Sequence, residues 1–427
     1  MNEILFNGPN VPKLRIIKKC ERFNLEDKKI YFYKCKVEAN KNIIFGYGVD
    51  TCEKKAKVKA FLEGLERYSL FFDKKHRGKL IFKKYNLIKD RAIHPHLLFS
   101  FLDNQYFQKD FKFSKYNNND AIYWVKCQSF LSNKKYYVPA SYVYCGYQPR
   151  DTEKKLGHSN SNGCAIGETF NRAILNATLE LIERDAILIR WLNRLPSPKI
   201  SIEYLSNKLK KLLKGAEKRY NVNILINDQT SDFKIPTVSV LLQSHNPPYF
   251  TFGSATNFSI ELAITKALQE SILIREELKN FKKLNIKYKN LNDIQTLYQH
   301  AEFYATKNKI KAFDFLSKSP CLTNLEEKKY KNIESKYNTI VKQLTFLQNF
   351  CKKNKKDIFF IDFSNQIIKE IGLHVVRVII PGLYSLNSEY NGRYLSNKRL
   401  YSLPLKLGLK CYNLDKNNIN SYPHPIG

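Results

Sequence analysis

The chain has 427 residues, which is enough for one large domain or for two or three smaller ones with substantial cores. Hydrophobic residues make up 43% of the chain and charged residues 26%, and its 16 glycines and 15 prolines are fewer than average usage gives. General disorder, collagen-like repeats and low-complexity architectures are therefore excluded.

Lysine and arginine exceed aspartate and glutamate by 33 charges. This excess fits either a polyanion-binding surface or a drift of composition toward lysine. The lysines are scattered in short runs such as Lys352-Lys353, and the sequence has no arginine-rich stripe or RNA-reading motif. Drift is the favoured interpretation, so nucleic acid is not predicted to be a partner.

The sequence also bounds where the protein works. No apolar run approaches the roughly 18 residues of a membrane helix, and the start, Met1 to Pro9, lacks the basic and apolar regions of a signal peptide. Nine cysteines occur without a C-x-x-C pair, which argues against a disulfide framework and a structural zinc site. A reduced cytoplasmic protein without a membrane span is predicted.

Alternation and turn residues predict strands along most of the chain. In chain order the predicted strands are 29–37, 43–49, 121–130, 136–147, 222–226, 237–242, 250–252, 357–363 and 374–380. Helical periodicity and capping signals predict helices between them. These are 53–72, with Phe61, Leu65, Tyr68 and Phe72 as its apolar face, a long helix opened by the turn 161–167 and closed near Asn193, a basic helix at 203–219, and 259–280.

Two stretches fit this pattern poorly. Residues 76–120 have weak periodicity, and the Lys- and Asn-rich residues 281–340 are predicted to be mostly helical; both stretches are possible surface insertions. Residues 404–427 form an irregular polar tail. We predict a single domain over 1–427 of the α+β class, in which long helices pack on mixed β-sheets.

Two of the long helices repeat one charged pattern. Leu62-Glu63-Gly64-Leu65-Glu66-Arg67 and Leu179-Glu180-Leu181-Ile182-Glu183-Arg184 each place two carboxylates three residues apart, with an arginine after the second. Residues with this spacing lie on one face of a helix. The third helix carries Lys266, Glu270 and Arg275.

The second copy is unusual because its helix is apolar almost all round, as expected of a buried helix. Buried carboxylates are costly unless they are paired or bound to metal, and Arg67 and Arg184 neutralise only part of four glutamates. Mg²⁺ prefers oxygen ligands and combines protein carboxylates with substrate phosphates. Nearby basic side chains would then hold the phosphates, and no phosphate-binding P-loop motif occurs. The pattern predicts a Mg-nucleotide site built from helices.

Simpler interpretations stay open for each feature. E-x-x-E-R is also an ordinary ion-pair pattern on helix surfaces. Ser161-Asn162-Gly163 fits a plain loop or a helix cap as well as amides that meet phosphates at a helix N-terminus. Cys164 has only His158 nearby in sequence as a partner, so nucleophilic catalysis is not favoured there. His424 is predicted to be a solvated tail residue.

At these helices the chain resembles the YcaO family. The resemblance rests on Gly46-Tyr47-Gly48 with the first E-x-x-E-R helix, on Ser161 to Gly167 with the second, and on Ala263 to Arg275. Val138-Pro139-Ala140, Ile380-Pro381-Gly382-Leu383 and Asn397-Lys398-Arg399-Leu400 also fit. The resemblance covers most of the chain except 76–120 and 281–340, and it implies a YcaO-type ATP-binding fold.

The resemblance implies ATP and Mg²⁺ as cofactors and assigns residues to them. By position in the family's motifs, the Mg²⁺ ligands would be Glu63, Glu66, Glu180, Glu183 and Glu270. The nucleotide contacts would be Ser161, Asn162, Arg67, Arg184, Lys266 and Arg275, with Lys266 standing where the family more often has arginine.

The implied activity is phosphorylation of a peptide amide oxygen. Azoline-forming members convert Cys, Ser or Thr of a ribosomal precursor peptide into thiazolines or oxazolines, and they end in a P-x-P-x-P tail that reaches the active site. Here Pro423 and Pro425 match that tail and Gly427 replaces its last proline. This favours an ATP-dependent cyclodehydratase; ATP-dependent thioamide formation and a non-catalytic scaffold or polyanion binder remain alternatives.

The chain is similar to the stand-alone cyclodehydratase of streptolysin-type systems. No ThiF-like or leader-binding domain is visible in the sequence. The resemblance therefore implies a precursor peptide, a separate ThiF-like leader-binding protein and an accompanying flavin-dependent azoline dehydrogenase as partners. A homodimer is left open.

Overall fold

The computed structural model describes residues 17–24, 29–39, 42–279, 288–322, 324–409 and 418–427. Four predictions fall wholly or partly on other residues: the N-terminal segment 1–16, residue 280 of the predicted helix 259–280, residues 281–287 and 323 of the predicted insertion, and residues 410–417 of the tail. The chain divides into two compact units. Unit 1 comprises Met1–Pro95, Tyr116–Thr178 and Cys351–Ile380, and unit 2 comprises His96–Lys115, Leu179–Phe350 and Pro381–Gly427.

The described strands are β1 Ile17–Asn24, β2 Lys29–Ala39, β3 Asn42–Asp50, β4 Leu80–Lys84, β5 Ala121–Ser129, β6 Lys135–Pro139, β7 Cys164–Gly167, β8 Val222–Asp228, β9 Thr237–Ser244, β10 Phe250–Thr256, β11 Phe359–Asp362 and β12 His374–Ile379. The described α-helices are α1 Glu53–Ser69, α2 Lys74–Arg77, α3 Ala140–Val143, α4 Phe170–Asn193, α5 Asn207–Tyr220, α6 Ile260–Lys279, α7 Leu297–Phe303, α8 Asp314–Ser317, α9 Asn324–Lys336, α10 Ile340–Lys353, α11 Gln366–Glu370 and α12 Lys398–Lys406.

Unit 1 contains a three-stranded sheet of order β1-β2-β3 and, directly after it, helix α1. The helix packs closely because small residues face the sheet: Ala56, Ala60 and Gly64 are buried. Gly46 of β3 completes the fit, since a Cβ there would lie 2.2 Å from the Gly64 nitrogen and 2.3 Å from the Ala60 carbonyl oxygen. Of the predicted apolar face, Leu65 is buried, Phe61 and Tyr68 are only partly buried, and Phe72 lies beyond the helix, which ends at Ser69.

The second sheet of unit 1 has the order β4-β5-β11-β12-β7, with β6 also paired to β5. Trp124 of β5, Val138 of β6 and Val376 of β12 are fully buried and form part of its core. The predicted strand 136–147 is too long, because the chain turns into the short helix α3 after Pro139. All four residues of α3 are buried.

Unit 2 is organised around the sheet β10-β9-β8 and the helices α5 and α6. The amphipathic α5 begins at the N-cap Ser206, whose side chain accepts a hydrogen bond from the Leu209 amide, and it ends at Asn221 in the left-handed conformation. Helix α6 lies on β10, where a Cβ on Gly253 would come within 2.2 Å of the Ala267 carbonyl oxygen. The close contact requires glycine.

The α+β class is confirmed by these helices and sheets. The mixed sheets are not seen: within the described ranges, every pairing between named strands is antiparallel. Short connections such as 245–249 between β9 and β10 join neighbouring strands as hairpins, which makes them antiparallel. No helix in the described part of the chain is long and apolar enough to cross a membrane.

Two further predictions are corrected in the buried parts of unit 2. Within the predicted surface insertion 281–340, Ile294, His300 and Tyr304 are buried at 1% exposure or less. In the tail, residues 423–426 are buried, so His424 is a core residue rather than a solvated one. These segments share backbone and ring contacts, which sequence periodicity does not report.

Candidate functional site

In unit 1, helix α1 presents Glu63 and Glu66 three residues apart, as predicted. The Glu63 carboxylate accepts a hydrogen bond from the backbone N–H of Tyr47 at 2.5 Å and forms an ion pair with Arg67 at 2.6 Å. Burial raises the pKa of Glu63, and the Arg67 charge and the Tyr47 amide oppose part of that rise. Arg67 also donates to the Phe45 carbonyl at 2.9 Å. The strand thus fixes both members of the pair.

Glu66 reaches a different strand of the same unit. Its carboxylate accepts the backbone N–H of Ile166, in β7, at 3.0 Å. The prediction that the turn 161–167 opens a helix is wrong, because 164–167 form β7 and α4 begins at Phe170. Ser161 and Asn162 therefore precede a strand. They do not lie at a helix N-terminus, so their amides are not helix N-terminal amides that could meet phosphates.

The loop 160–163 is tightly built. Ser161 accepts the amide of Cys164 through its carbonyl at 3.0 Å, and the Asn160 side chain accepts the amide of Asn162 at 3.0 Å. Gly163 has a φ of +77°, in the left-handed region that favours glycine, and its carbonyl accepts the amide of Val378 at 2.7 Å. Asn162 is buried, and Ser161 is partly exposed.

In unit 2, three predicted carboxylates surround one predicted arginine. The guanidinium nitrogens of Arg184 lie 3.9 Å from Glu180, 3.3 Å from Glu183 and 3.7 Å from Glu270. The structure therefore brings together residues of α4 and α6 that are 90 positions apart in sequence. The cluster carries more negative than positive charge.

Strand β10 holds two of these carboxylates in place. Glu270 accepts the backbone N–H of Ser254 at 2.6 Å. Glu183 accepts the Ser254 hydroxyl at 2.7 Å and the Thr256 amide at 3.1 Å. Glu180 is the most exposed member, and its contact to Arg184 is the longest of the three. The cluster is thus anchored at Glu183 and Glu270 and most accessible at Glu180.

The electrostatics of the cluster follow from burial among like charges. The pKa of Glu270 is raised to about 7. Burial is the largest cause, Arg184 opposes the rise, and Glu183 and Glu180 contribute to it. Burial by itself would lower the pKa of Arg184, but the three carboxylates raise it further than burial lowers it. Arg184 stays a cation while one carboxylate beside it holds a proton near neutral pH.

The donor set fits Mg²⁺ and a phosphate chain. Two buried guanidinium nitrogens of Arg184, Nε and Nη1, have ion-pair contacts but no hydrogen bond to any described residue, so they are available to a phosphate oxygen. Across the described ranges, no three His, Cys, Asp or Glu side chains are placed to hold a metal ion by themselves. Mg²⁺ with one or two carboxylates, phosphate oxygens and water needs no such cage.

The other two predicted basic residues of α6 differ in exposure. Lys266 is exposed one turn before Glu270, on the same helical face. Arg275 is buried at 2% exposure, and its Nη1 donates to the Pro248 carbonyl at 2.5 Å. Burial lowers the pKa of Arg275. In this structure Arg275 supports the β9–β10 connection.

The tail segment, residues 418–427, is fixed to unit 2 through its carbonyl groups. The Trp191 indole N–H donates to Tyr422 at 3.1 Å, and the Tyr304 hydroxyl donates to Pro423. The ring of His424 stacks on His300 with centroids 3.8 Å apart. Burial lowers the pKa of His424 well below its usual value, and it lowers that of His300 to about 4. Both rings are neutral at pH 7.

Sequence reasoning missed several residues that shape these sets. Ser254 and Thr256 anchor the unit 2 carboxylates, His300 supports the tail, and Arg377 contacts the 160–164 loop. Serine, threonine and histidine in strands and short helices carry no spacing signal. The one available signal was Arg377 itself, a charged residue inside the apolar run of β12.

Comparisons with known proteins identify the family and the fold. Residues 46–384 match the family model described as YcaO cyclodehydratase, ATP- and Mg²⁺-binding. A heterocyclase solved with substrate and cofactor superposes with a TM-score of 0.78 at 22% identity, covering 95% of this chain and 55% of its own, so the chain spans about half of that protein.

Two further solved structures resemble the fold. The YcaO protein of Methanopyrus kandleri, bound to AMPPCP and Mg²⁺, has a TM-score of 0.61 at 14% identity and covers 86% of this chain and 85% of its own. The E. coli microcin synthetase McbBCD complex with bound pro-MccB17 gives 0.59 at 15% identity, covering 89% and 90%. At these identities the likeness concerns the fold.

Proposed function

The chain belongs to the YcaO family, with ATP and Mg²⁺ as its cofactors, and on that premise we propose that it is a peptide cyclodehydratase. In this proposal it uses ATP to phosphorylate a backbone amide oxygen of a ribosomal precursor peptide. A Cys, Ser or Thr side chain attacks the preceding carbonyl, the resulting oxyanion takes the phosphoryl group of ATP, and phosphate leaves as the thiazoline or oxazoline forms. The observation that carries the proposal is the largely enclosed Arg184, whose side chain is 13% exposed, among Glu180, Glu183 and Glu270.

The carboxylates are proposed as Mg²⁺ ligands. Glu180 is the member of its cluster that a ligand reaches most readily, because it is the most exposed and lies farthest from Arg184. Glu183 and Glu270 are held by amide and hydroxyl donors of β10, so their positions are set before any ligand arrives. In unit 1, the backbone N–H groups of Tyr47 and Ile166 likewise hold Glu63 and Glu66 in place. We propose that these two carboxylates are Mg²⁺ ligands as well.

The basic and polar residues are proposed to bind the phosphates and to stabilise charge during transfer. Arg184 offers two guanidinium N–H groups without hydrogen bonds, and Arg67 and the exposed Lys266 add positive charge. Ser161 and Asn162 offer loop donors. Mg-ATP supplies the phosphoryl group that makes the amide oxygen a leaving group, so that water departs as phosphate. Arg275 belongs to the proposed set through the family motif, although its guanidinium already serves Pro248.

The tail and the partners complete the proposal. Pro423, Pro425 and Gly427 are proposed as its catalytic contribution, consistent with residues 423–426 being buried in unit 2. A leader-binding partner is supported by the likeness to McbBCD, which is a complex of several proteins with a bound pro-peptide. A precursor peptide, a ThiF-like partner and an azoline dehydrogenase remain predictions from the resemblance, and a cytoplasmic location remains a prediction from the N-terminal segment and the cysteine usage.

The test is a reconstitution of this chain with a precursor peptide and a ThiF-like leader-binding protein. Mg-ATP is expected to give ADP, phosphate and the loss of one water per modified residue, measured by mass spectrometry. Replacement of oxygen by sulfur would instead identify thioamide formation. An unchanged peptide mass, under verified partner binding and Mg-ATP binding, would overturn catalysis and favour a scaffold.

The variant Glu180→Gln tests the proposed role of Glu180 as a Mg²⁺ ligand. The Glu180 side chain is 30% exposed, whereas that of Glu183 is 11% exposed and anchored to β10, so the Glu180 variant is expected to fold normally. Loss of the charge should reduce turnover at least about 100-fold, as expected when a carboxylate ligand of a catalytic metal is neutralised. Wild-type turnover in a folded Glu180→Gln protein would refute the assignment of Glu180.

A further inference from the structure

Arg377 is a buried charge that none of the proposed roles uses. It lies on β12, opposite Cys164 of β7 in the antiparallel register, and its side chain is 1% exposed. Burying a guanidinium is costly unless its donors are satisfied. A charged residue in the middle of an otherwise apolar strand therefore requires a specific reason.

The contacts of Arg377 converge on the 160–164 loop and its neighbour α3. Nη1 donates to the Asn160 carbonyl at 2.5 Å and to the Val143 carbonyl at 3.1 Å, and it lies 3.9 Å from the Cys164 sulfur. The guanidinium also stacks over the Tyr142 ring, 5.4 Å from its centroid. One side chain thus joins the start of the loop to the end of α3.

The next residue along β12 holds the other end of the loop. The Val378 amide donates to the Gly163 carbonyl at 2.7 Å. Consecutive residues of one strand therefore fix both Asn160 and Gly163, and Ser161 and Asn162 lie between these two anchor points. Hydrogen bonds to a charged donor are stronger than neutral ones, which suits an anchor in a loop.

Arg377 also places positive charge behind this loop. Arg67 and Arg377 both lower the pKa of the Cys145 thiol, against the rise that burial causes, so both cations act on the same part of unit 1. A fixed cation beside a loop favours bound phosphate through its field, even without direct contact.

We propose that Arg377 is a positioning residue for nucleotide binding: it fixes Asn160 to Gly163 so that Ser161 and Asn162 face the phosphates of Mg-ATP, and it adds positive potential there. This inference rests on the proposed function, because it takes the 160–164 loop as part of the nucleotide site.

Arg190 offers a matched control. It is also a buried arginine, at 7% exposure, and it also donates to two backbone carbonyls, those of Pro196 at 2.7 Å and Thr230 at 3.0 Å. Neither acceptor belongs to a predicted nucleotide contact. Arg190→Met and Arg377→Met therefore each remove a buried guanidinium that donates to two backbone carbonyls. Of the two, only Arg377 contacts the 160–164 loop.

The experiment measures the Kd of Mg-AMPPCP by calorimetry and Tm by circular dichroism, using the full chain. Arg377→Met is expected to weaken binding about 10- to 100-fold, the range for losing charge-assisted hydrogen bonds. Arg377→Lys keeps the charge and should bind Mg-AMPPCP at least about threefold more tightly than Arg377→Met does. Arg190→Met should lower Tm to a similar extent and change Kd less than about twofold.

A Kd within about twofold of wild type in folded Arg377→Met would overturn the inference, as would an equal loss in Arg190→Met. If Arg377→Met does not fold, amide hydrogen exchange of residues 160–164 in Arg377→Lys decides. Faster exchange than wild type, slowed by Mg-AMPPCP, supports the inference, and unchanged exchange overturns it. Failure of the wild type to bind Mg-AMPPCP would refute the nucleotide site itself.

Discussion

Two regions of the molecule repeat one arrangement of strand, glycine and glutamate. In the first module, strands β1–β3 are followed by α1; in the second, β8–β10 are followed by α6. The Tyr47 amide donates to Glu63, and the Ser254 amide donates to Glu270, and in both pairs the acceptor lies sixteen positions after the donor. The preceding residue is a glycine in each, and a Cβ on it would collide with the helix backbone.

The equivalence extends to the helix atoms that the glycine approaches. Gly46 faces the Ala60 carbonyl and the Gly64 amide, and Gly253 faces the Ala267 carbonyl and the Ser271 amide, at the same offsets along the chain. Only glycine permits this approach, and the approach brings the helix glutamate within reach of the strand amide. The fold itself therefore sets the position of one glutamate in each module.

The modules differ in the residues that come after this glutamate in the helix. In the first, Glu66 and Arg67 come next on the same face, and Arg67 neutralises Glu63 at 2.6 Å. At the matching positions of the second module stand Leu273 and Ile274, and Glu270 pairs instead with Arg184 of α4. The strand-bound glutamate is thus common to both, while its neutralising partner comes from a different element in each.

The largest expected effect comes from neutralising the shared glutamate in either module. Glu63→Gln and Glu270→Gln keep an oxygen that can accept the strand amide but remove the charge. If both carboxylates bind Mg²⁺, turnover should fall at least about 100-fold in each variant with Tm nearly unchanged, as measured by ADP release and calorimetry.

The pair of variants also tests the comparison. Full activity in one variant and loss in the other would show that structural equivalence does not extend to function. A large fall in Tm would instead show that the charge stabilises the module itself.

The glycines should control stability more than activity. Gly46→Ala and Gly253→Ala place a Cβ about 2.2 Å from helix backbone atoms, which cannot move without separating helix from sheet. Each is expected to lower the free energy of unfolding by about 2–4 kcal/mol, near the upper end for overpacking. Urea unfolding followed by circular dichroism measures the change.

Gly215→Ala in α5 is the control, because no atom lies within 4 Å of its Cβ position. It should stabilise the protein by about 0.5–1 kcal/mol, as alanine does in a helix interior. If Gly253→Ala were equally harmless, the close contact between α6 and β10 would not be what positions Glu270.

The sequence predicted β2, β3 and α1 and the elements of the second module, but it missed β1 and did not show how the two modules are related. The spacing of Glu63 and Glu66 in α1 matches that of Glu180 and Glu183 in α4, so the repeated sequence pattern links α1 with α4. The structural counterpart of α1 is α6, in which Glu270 has no second glutamate three residues later. Carboxylate spacing follows the helix, whereas the equivalence depends on a glycine in a preceding strand, and only tertiary packing identifies it.

Burial explains most of the other differences. The apolar α4 was correctly predicted to be buried, because a helix without a polar face has no other stable place. His424 was predicted to be solvated because histidine beside proline in a tail carries no periodic pattern. Its burial results from partners far away in sequence, such as His300 and Asn387.

A third prediction concerns the proton on Glu270 in the metal-free protein. Its folded pKa of about 7 lies above its ordinary value of 4.5, so the folded state holds a proton that the unfolded state releases. Stability is therefore highest below about pH 4.5 for this group and is lost as pH rises toward 7. With the side chain a quarter exposed, the loss is expected to be about 2 kcal/mol.

Chemical unfolding at a series of pH values, in the presence of a chelator, measures this slope. Glu270→Gln cannot titrate and should flatten the curve over the same pH range. An identical slope in wild type and variant would mean that Arg184 holds Glu270 ionised throughout.

The smallest stability effect is expected for Arg67, which has no counterpart at the matching position of the second module. Arg67 and Glu63 are each about a third exposed, and ion pairs with that exposure contribute at most about 1 kcal/mol. Arg67→Met should therefore change the free energy of unfolding by less than about 1 kcal/mol, measured in urea. In the proposed role as a phosphate contact, the same substitution should weaken Mg-AMPPCP binding about tenfold.

These two readouts separate the roles of Arg67. Its second contact, to the Phe45 carbonyl at 2.9 Å, would make it a brace between α1 and β3 if stability fell by more than about 2 kcal/mol. The second module argues against that, because its α6 packs on β10 with Ile274 at the matching position and no arginine there. A charge that the packing does not require, next to a glutamate that the packing does position, is better explained by a ligand.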